Sequence, residues 1–217
     1  VNLLKGAVPL KLLGGKDIIS VDFGSSEMKV VQGKYSKKNI MISKSFSLSL
    51  PKDIYIDGEI QDMDQLSYLF RNALSENKMV GKEAYGVINS TKVIMREITM
   101  PKVENSQIES VLKYQLEEYL PVNPEEYVVK FINLGLVLDD GIEKLNILLV
   151  GVPRIIVESH FNLFRNVGLK PAALDHSGNA ISKLIHFGES INNSFDSRHT
   201  IASIDMGYES TVLTITE

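Results

Sequence analysis

The sequence lacks cysteine and tryptophan altogether in its 217 residues. Without cysteine the chain can form neither disulfides nor thiolate metal sites, which fits a reducing cytoplasm. It also lacks any apolar run of 18 residues, so no segment predicts a transmembrane helix. Basic residues are not in excess, because the formal net charge is −4 and the charges are spread along the chain. This distribution gives no electrostatic footprint for nucleic acid.

The chain nevertheless has enough apolar residues to bury a core, since 44% of its residues are hydrophobic. Its length allows one large domain or two small ones. The first 16 residues stand apart, with three lysines, no acid and a proline, Pro9, within a short apolar stretch. Pro9 and the lack of a small-residue cleavage site argue against a secretory signal. We interpret residues 1–16 as an N-terminal arm or leader that could also contact a partner or a membrane surface.

From Asp17 onward the hydrophobic pattern predicts alternating strands and helices. Apolar runs and period-two alternation predict strands at 18–23, 28–35, 40–50, 84–90, 93–100, 127–138, 144–152, 170–175 and 201–217, the last being interrupted by a Gly turn. Apolar stripes of helical spacing predict helices at 62–77, 104–120, 153–168 and 177–185. We expect a loop at 51–58, a hairpin turn at Asp139-Asp140-Gly141 and a linker at 191–200. The β-α-β-β-α stretch at 92–168 is consistent with a small inserted subdomain.

Two segments repeat one pattern across the length of the chain. The first is IISVDFGSSEMKVV and the second is IASIDMGYESTVLTI. Each consists of an apolar strand, an aspartate, any residue, a glycine, a small polar cluster and a second apolar strand. A single copy is most simply an ordinary hairpin turn, whereas two copies with matching flanks favour a shared function.

The glycines of this repeat, Gly24 and Gly207, suggest a phosphate-binding turn. Glycine has no Cβ, so backbone N–H groups can approach a phosphate closely. Hydroxyl groups in or beside both turns can add hydrogen bonds to the phosphate, namely those of Ser25, Ser26, Ser210 and Thr211.

Two aspartates and one lysine complete the predicted site. Asp22 and Asp205 precede the two glycines at the ends of strands that we expect to be adjacent. There they can hold Mg²⁺ through its water ligands, which is how Mg²⁺ commonly meets carboxylates. Lys29 supplies a positive charge near the phosphates. Any hydrolysis would depend on Asp22, Asp205 and a positioned water.

The pair of segments resembles the two phosphate loops of the actin-like ATPase superfamily. Within it, VDFGSSEMKVV, VIMREITMP with the following helix, and the stretch from LLVGVPR to KPAALD are most similar to the PilM family of type IV pilus assembly, and next to FtsA. The resemblance covers about residues 17–217.

The resemblance implies an α/β actin-like ATPase domain, with a ribonuclease H-like sheet, an FtsA-type inserted subdomain and a truncated C-terminus. In that scheme residues 17–91 and 169–190 form domain 1A, and 92–168 form the inserted subdomain 1C. Residues 191–217 form a linker and the start of an incomplete domain 2A. The part that contacts adenosine in the family would follow residue 217.

The same resemblance implies a cytoplasmic scaffold at the inner face of the cell membrane that binds ATP and Mg²⁺ and is at most a weak ATPase. Its implied partners are the N-terminal tail of a PilN-like inner-membrane protein and other pilus assembly proteins, and nucleic acid is not among them. Association with the membrane would be indirect, and the chain could form a homo-oligomer. Two alternatives remain, a pure protein-interaction module with non-functional phosphate loops and an FtsA-like division protein.

Other residues give weaker indications. Asn2-Leu3-Leu4 is similar to the start of the PilN tail that the family binds, so the arm could mimic that peptide; an ordinary leader is the simpler interpretation. Asp175 lies where the family's connecting segment approaches the nucleotide, and it could instead cap the next helix. His160 and the other histidines have no metal-ligand spacing, and His160 fits a partly buried core position.

Overall fold

The computed structural model describes residues 17–35, 39–79, 83–120, 122–188, 190–191, 195–196 and 199–216. They form two compact units. The smaller unit is Ser90–Ser159, and the larger one contains the described residues up to Asn89 and from His160 onward. The predicted arm, with its Asn2-Leu3-Leu4 sequence, lies outside the described residues.

A five-stranded mixed sheet forms the centre of the larger unit, in the order β10-β6-β1-β2-β3. Its strands are β1 (Ile18–Phe23), β2 (Glu27–Tyr35), β3 (Ile40–Ser49), β6 (Glu83–Ile88) and β10 (Lys170–His176). β1, β2 and β3 pair antiparallel, whereas β6 pairs parallel with both β1 and β10. Parallel pairing brings the carboxyl ends of β1, β6 and β10 to one edge of the sheet.

The segment that was expected to be a loop contains a small hairpin of β4 (Tyr55–Ile56) and β5 (Glu59–Ile60). Its turn residues, Asp57 and Gly58, both have positive φ, at 45° and 82°. Strands this short have no periodicity that a sequence pattern could reveal.

Alternate side chains of β1 and β2 point into the core of the larger unit. Ile19, Val21, Phe23, Met28 and Val30 are buried there. The helices of this unit agree with the predicted apolar stripes, although Leu69 is only half-buried. They are α1 (Met63–Glu76), the second half of α3 (Arg154–Asn166) and α4 (Ser177–Gly188).

The smaller unit is a three-stranded antiparallel sheet in the order β7-β9-β8, with one helix, α2 (Asn105–Tyr119). Its strands are β7 (Ile94–Pro101), β8 (Tyr127–Asp139) and β9 (Ile142–Pro153). Residues from the sheet and the helix share one core, formed by Ile98, Met100, Ile108, Leu112, Leu120, Leu145, Ile147 and Leu149. The predicted Asp-Gly turn is confirmed, since Asp140 and Gly141 have φ of 50° and 76°, as a type I′ turn requires.

Several element boundaries differ from the sequence prediction by a few residues. Pro153 is the last residue of β9, and α3 begins one residue later at Arg154. The predicted linker contains two short paired strands, β11 (Ser190–Ile191) and β12 (Phe195–Asp196). The compact smaller unit also ends earlier than the predicted insert at 92–168, so the division into actin-like subdomains 1A, 1C and 2A stays a prediction.

The C-terminal hairpin consists of β13 (Ile201–Met206) and β14 (Thr211–Thr216), as predicted. It belongs to the larger unit, where β14 lies next to α4. A Cβ added to Gly178 at the start of α4 would lie 3.0 Å from Thr214 Oγ1, so the helix and the strand approach closely. Among the described residues, no helix is both long and apolar enough to cross a membrane.

Candidate functional site

The two repeated segments fold into hairpins with the same local geometry. In the first, Phe23 pairs with Met28 around the loop 24–27, and in the second, Met206 pairs with Thr211 around the loop 207–210. The glycine that opens each loop donates its N–H to the carbonyl of the residue that closes it. This N···O distance is 3.1 Å from Gly24 to Glu27 and 2.9 Å from Gly207 to Ser210. The sequence repeat is therefore also a structural repeat.

Glycine is required in both loops for the same reason. A Cβ on Gly24 would lie 2.7 Å from the Glu27 carbonyl oxygen, which real Cβ atoms essentially never do. A Cβ on Gly207 would lie 3.0 Å from the Ser210 carbonyl oxygen. In both cases the obstructing atom belongs to the backbone and cannot rotate away. The tight turn, rather than a positive φ, explains these two glycines.

The aspartates before the two glycines lie within electrostatic reach of each other. Asp22 lies on the opposite face of β1 from the buried core residues and is exposed. Partial loss of contact with water nevertheless raises the pKa of the Asp22 carboxyl group. The positive charge of Lys29, its partner in the β1–β2 register, lowers this pKa, and the negative charge of Asp205 raises it. β1 and β13 were expected to be adjacent, but β1 lies between β2 and β6, and β13 pairs with β14 in a separate two-stranded sheet. The link between Asp22 and Asp205 is the contribution of the Asp205 charge to the pKa of Asp22.

The two hairpins are not chemically equivalent. The residue opposite Asp22 is Lys29, whereas the residue opposite Asp205 is Val212. Ser25 and Ser26 in the first loop are half-buried. The second loop and the strand that follows it carry the exposed residues Ser210 and Thr211. Of the two hairpins, the first therefore places a positively charged side chain opposite its aspartate, and the second does not.

This set of donors fits a phosphate with Mg²⁺ better than a metal held by the protein alone. In the described part of the chain, no group of three or more His, Cys, Asp or Glu side chains could hold a metal ion. Mg²⁺ in nucleotide sites usually contacts one or two carboxylates and completes its shell with waters and phosphate oxygens. Asp22 and Asp205 supply two carboxylates for such a site.

The carboxyl ends of the parallel strands place Asp175 near the same edge of the sheet. Asp22 on β1 and Asp175 on β10 both pair with Val87 on β6, so the three residues form one row. Asp175 accepts hydrogen bonds from the backbone N–H of His176 and from the side chains of Asn179 and Lys183, at 2.7–2.9 Å. Its carboxylate therefore organises the start of α4.

His176 caps the start of α4, a role that the sequence analysis did not predict for it. The Gly178 N–H donates to Nδ1 of His176 at 3.2 Å. Burial lowers the pKa of His176, and the neighbouring Asp175 opposes this shift. A neutral imidazole with a free Nδ1 lone pair is the form that can accept this bond. Helix capping, which was one of two roles expected for Asp175, is thus performed by His176, and Asp175 instead bonds the side chains of Asn179 and Lys183.

A buried polar pair below the first hairpin escaped the sequence analysis. The Tyr55 hydroxyl lies 3.1 Å from Nε2 of His160, and both side chains are buried. His160 was expected to be partly buried, but it is completely enclosed. Its spacing from Val157 and Phe164 along α3 was a usable signal for burial. Nothing in the sequence indicated that its partner would be Tyr55.

Comparison with known proteins agrees with this architecture. A family model described as type IV pilus assembly protein PilM matches residues 20–217. The solved PilM–PilN type IV pilus biogenesis complex is similar to 91% of this chain, with a TM-score of 0.73 and 20% sequence identity. The chain spans 57% of the length of that PilM-type structure.

Two more distant structures also match. The cytoplasmic domain of EpsL, an inner-membrane component of the type II secretion system of Vibrio cholerae, has 12% identity and a TM-score of 0.47 over 74% of this chain and 57% of its own. The ethanolamine utilization protein EutJ from Carboxydothermus hydrogenoformans has 12% identity and a TM-score of 0.47 over 94% of this chain and 49% of its own.

The predicted α/β fold of the actin-like ATPase type is confirmed. Because the family model covers most of the chain, the family is also established. The chain belongs to the family of type IV pilus assembly protein PilM.

Proposed function

We propose that this chain is the nucleotide-binding and partner-binding part of a type IV pilus assembly scaffold at the cytoplasmic face of the inner membrane. The observation that carries the proposal is the pair of matched hairpins, whose aspartates Asp22 and Asp205 interact electrostatically. Two matched glycine turns, each preceded by an aspartate, form an arrangement suited to a phosphate chain and its cation.

In this proposal the first hairpin binds phosphate oxygens in three ways. Its loop at Gly24 allows close approach of the backbone, Ser25 and Ser26 donate from their hydroxyls, and Lys29 contributes charge. The second hairpin contributes through Gly207 and the hydroxyls of Ser210 and Thr211.

Asp22 and Asp205 hold the hydrated Mg²⁺ that accompanies ATP. The ion would neutralise phosphate charge when it is bound. The same two carboxylates can orient a water molecule by accepting its hydrogen bonds. From the family resemblance we infer an ATPase that is weak at most.

The proposed partner is the N-terminal tail of a PilN-like inner-membrane protein. Family membership supports this proposal, as does the likeness to the PilM component of a PilM–PilN complex. Association with the membrane would then be indirect. Contacts with other pilus proteins or with further copies of the chain stay predictions.

The nucleotide proposal is tested by calorimetric titration of ATP–Mg²⁺ into the chain and into the full-length protein that contains it. We expect micromolar to millimolar binding that Asp22→Asn weakens by about tenfold or more, since a carboxylate contact to the hydrated ion is lost. Asp64→Asn, on the exposed side of α1, is the matched control and leaves the affinity unchanged. Absence of binding to either protein overturns the proposal and favours a pure protein-interaction module.

The partner proposal is tested by fluorescence anisotropy with a labelled peptide that corresponds to the cytoplasmic N-terminus of the PilN-like protein. We expect saturable binding that a scrambled peptide does not show. Deletion of residues 1–16 separates two cases: tighter binding after deletion indicates that the arm competes for the peptide site, and unchanged binding excludes such mimicry. Equal affinity for the scrambled peptide contradicts the partner proposal.

A further inference from the structure

The buried Tyr55–His160 pair lies directly behind the first hairpin. Its O···N distance of 3.1 Å is that of a good hydrogen bond, and the exposed fractions of Tyr55 and His160 are 2% and 0%. Buried polar groups are kept only where they are satisfied, because an unpaired one is costly. The two residues come from separate elements, the short strand β4 and helix α3.

Both rings of this pair pack on Phe23. The Phe23 ring is 4.6 Å from the imidazole of His160 in an edge-to-face contact and 5.8 Å from the stacked ring of Tyr55. Phe164 completes the enclosure at 5.8 Å. Such contacts prefer defined ring angles, so the hydrogen bond between Tyr55 and His160 also fixes the space that Phe23 can occupy.

Phe23 lies between the two residues that matter most in the first loop, Asp22 and Gly24. Because its side chain points into the core, Asp22 must point to the other face of the sheet. The equivalent residue of the second hairpin is Met206, which is 79% exposed. Phe23 therefore packs in a buried aromatic cluster beside the first loop, whereas Met206 beside the second loop is exposed.

The hydroxyl of Tyr55 keeps its proton in this environment. Burial raises its pKa, and the charges of Asp22 and Asp57 raise it further. A protonated phenol can donate to the Nε2 lone pair when the imidazole carries its proton on Nδ1. The phenol can therefore act as the donor of this hydrogen bond.

We propose that Tyr55 and His160 are positioning residues, whose hydrogen bond holds Phe23 and so fixes the conformation of the loop from Asp22 to Glu27. The consequence for ATP–Mg²⁺ rests on the function proposed above, but the effect on the loop does not. Neither residue touches the phosphate in this scheme; both act through Phe23.

The test uses the 217-residue chain and measures amide hydrogen exchange at Gly24 by NMR. The Gly24 N–H is bonded within the first loop, and the Gly207 N–H makes the same bond in the second loop, so Gly207 is an internal reference. Tyr55→Phe removes the hydroxyl and keeps the ring. The double variant Tyr55→Phe/His160→Phe replaces both partners of this hydrogen bond by apolar rings. Tyr68→Phe, on the exposed side of α1, is the matched control.

We expect exchange at Gly24 to become about fivefold faster or more in both variants, with Gly207 unchanged and the control like the wild type. Equal acceleration at both glycines indicates a general loss of stability and overturns the proposal. Wild-type exchange in the double variant also overturns it, because the hydrogen bond would then have no positioning effect.

Titration of the same variants with ATP–Mg²⁺ separates this inference from the proposed function. Weaker binding by the double variant, together with faster exchange at Gly24, supports both. Faster exchange at Gly24 in a chain whose wild type binds no ATP–Mg²⁺ keeps the positioning role and overturns nucleotide binding. Normal exchange at Gly24 in variants that still bind ATP–Mg²⁺ overturns the positioning role and keeps nucleotide binding.

Discussion

At the scale of single residues, the acid–base behaviour of Asp22 reports on its neighbours. Burial of its surroundings raises its pKa above the ordinary value, while Lys29 and Asp205 act in opposite directions. The carboxylate is exposed, so water can still reach it. This combination of accessibility and like-charge contact suits a group that meets a cation in the functional state.

Two substitutions should move the pKa of Asp22 in opposite directions. Asp205→Asn removes a negative charge and is expected to lower it, and Lys29→Met removes a positive charge and is expected to raise it. The carbon-13 shift of the Asp22 carboxyl group, followed by NMR as pH is varied, measures both. Asp64→Asn serves as the control and should leave the titration curve in place. A pKa of Asp22 that does not respond to Asp205→Asn would mean that the two hairpins are not electrostatically coupled.

At the scale of elements, the two hairpins depend on one backbone feature, the glycine N–H that closes each loop. Gly24→Ala would place a Cβ 2.7 Å from a backbone carbonyl oxygen, so we expect it to destabilise the chain by about 1–3 kcal/mol. Gly207→Ala should cost less, since the corresponding distance is 3.0 Å. Urea unfolding followed by circular dichroism measures both.

The matched control for the hairpin glycines is Gly188→Ala at the end of α4. Nothing lies within 4 Å of a Cβ at this helical position, so the change should be neutral or slightly stabilising. If Gly24→Ala proved as harmless as Gly188→Ala, the first loop would be wider than described here.

Elements with strong local patterns could be predicted from sequence, and those without could not. The stripe of α1 and the Asp140-Gly141 turn follow from local rules of period and φ. The β4–β5 hairpin escaped because each of its strands has two residues. The two matched hairpins were foreseen from their sequence repeat, and their role as a binding site stays a prediction. The Tyr55–His160 pair was not foreseen, because the two residues are distant in sequence and meet only in the folded chain.

At the scale of the whole molecule, we propose that two hairpins at opposite ends of the chain act as one site. They share a loop geometry, and the charge of Asp205 contributes to the raised pKa of Asp22. Membership of the PilM family gives this arrangement a biological setting in type IV pilus assembly. The larger unit contains both hairpins, so the site does not depend on how the two units are arranged.

The most direct test is a double-mutant cycle on ATP–Mg²⁺ affinity with Asp22→Asn, Asp205→Asn and the two combined, measured calorimetrically on the full-length protein. If both carboxylates hold one hydrated ion, the combined variant loses less binding free energy than the sum of the single losses, with a coupling of roughly 0.5–3 kcal/mol. Losses that add within about 0.3–0.5 kcal/mol would show independent positions and contradict a shared site.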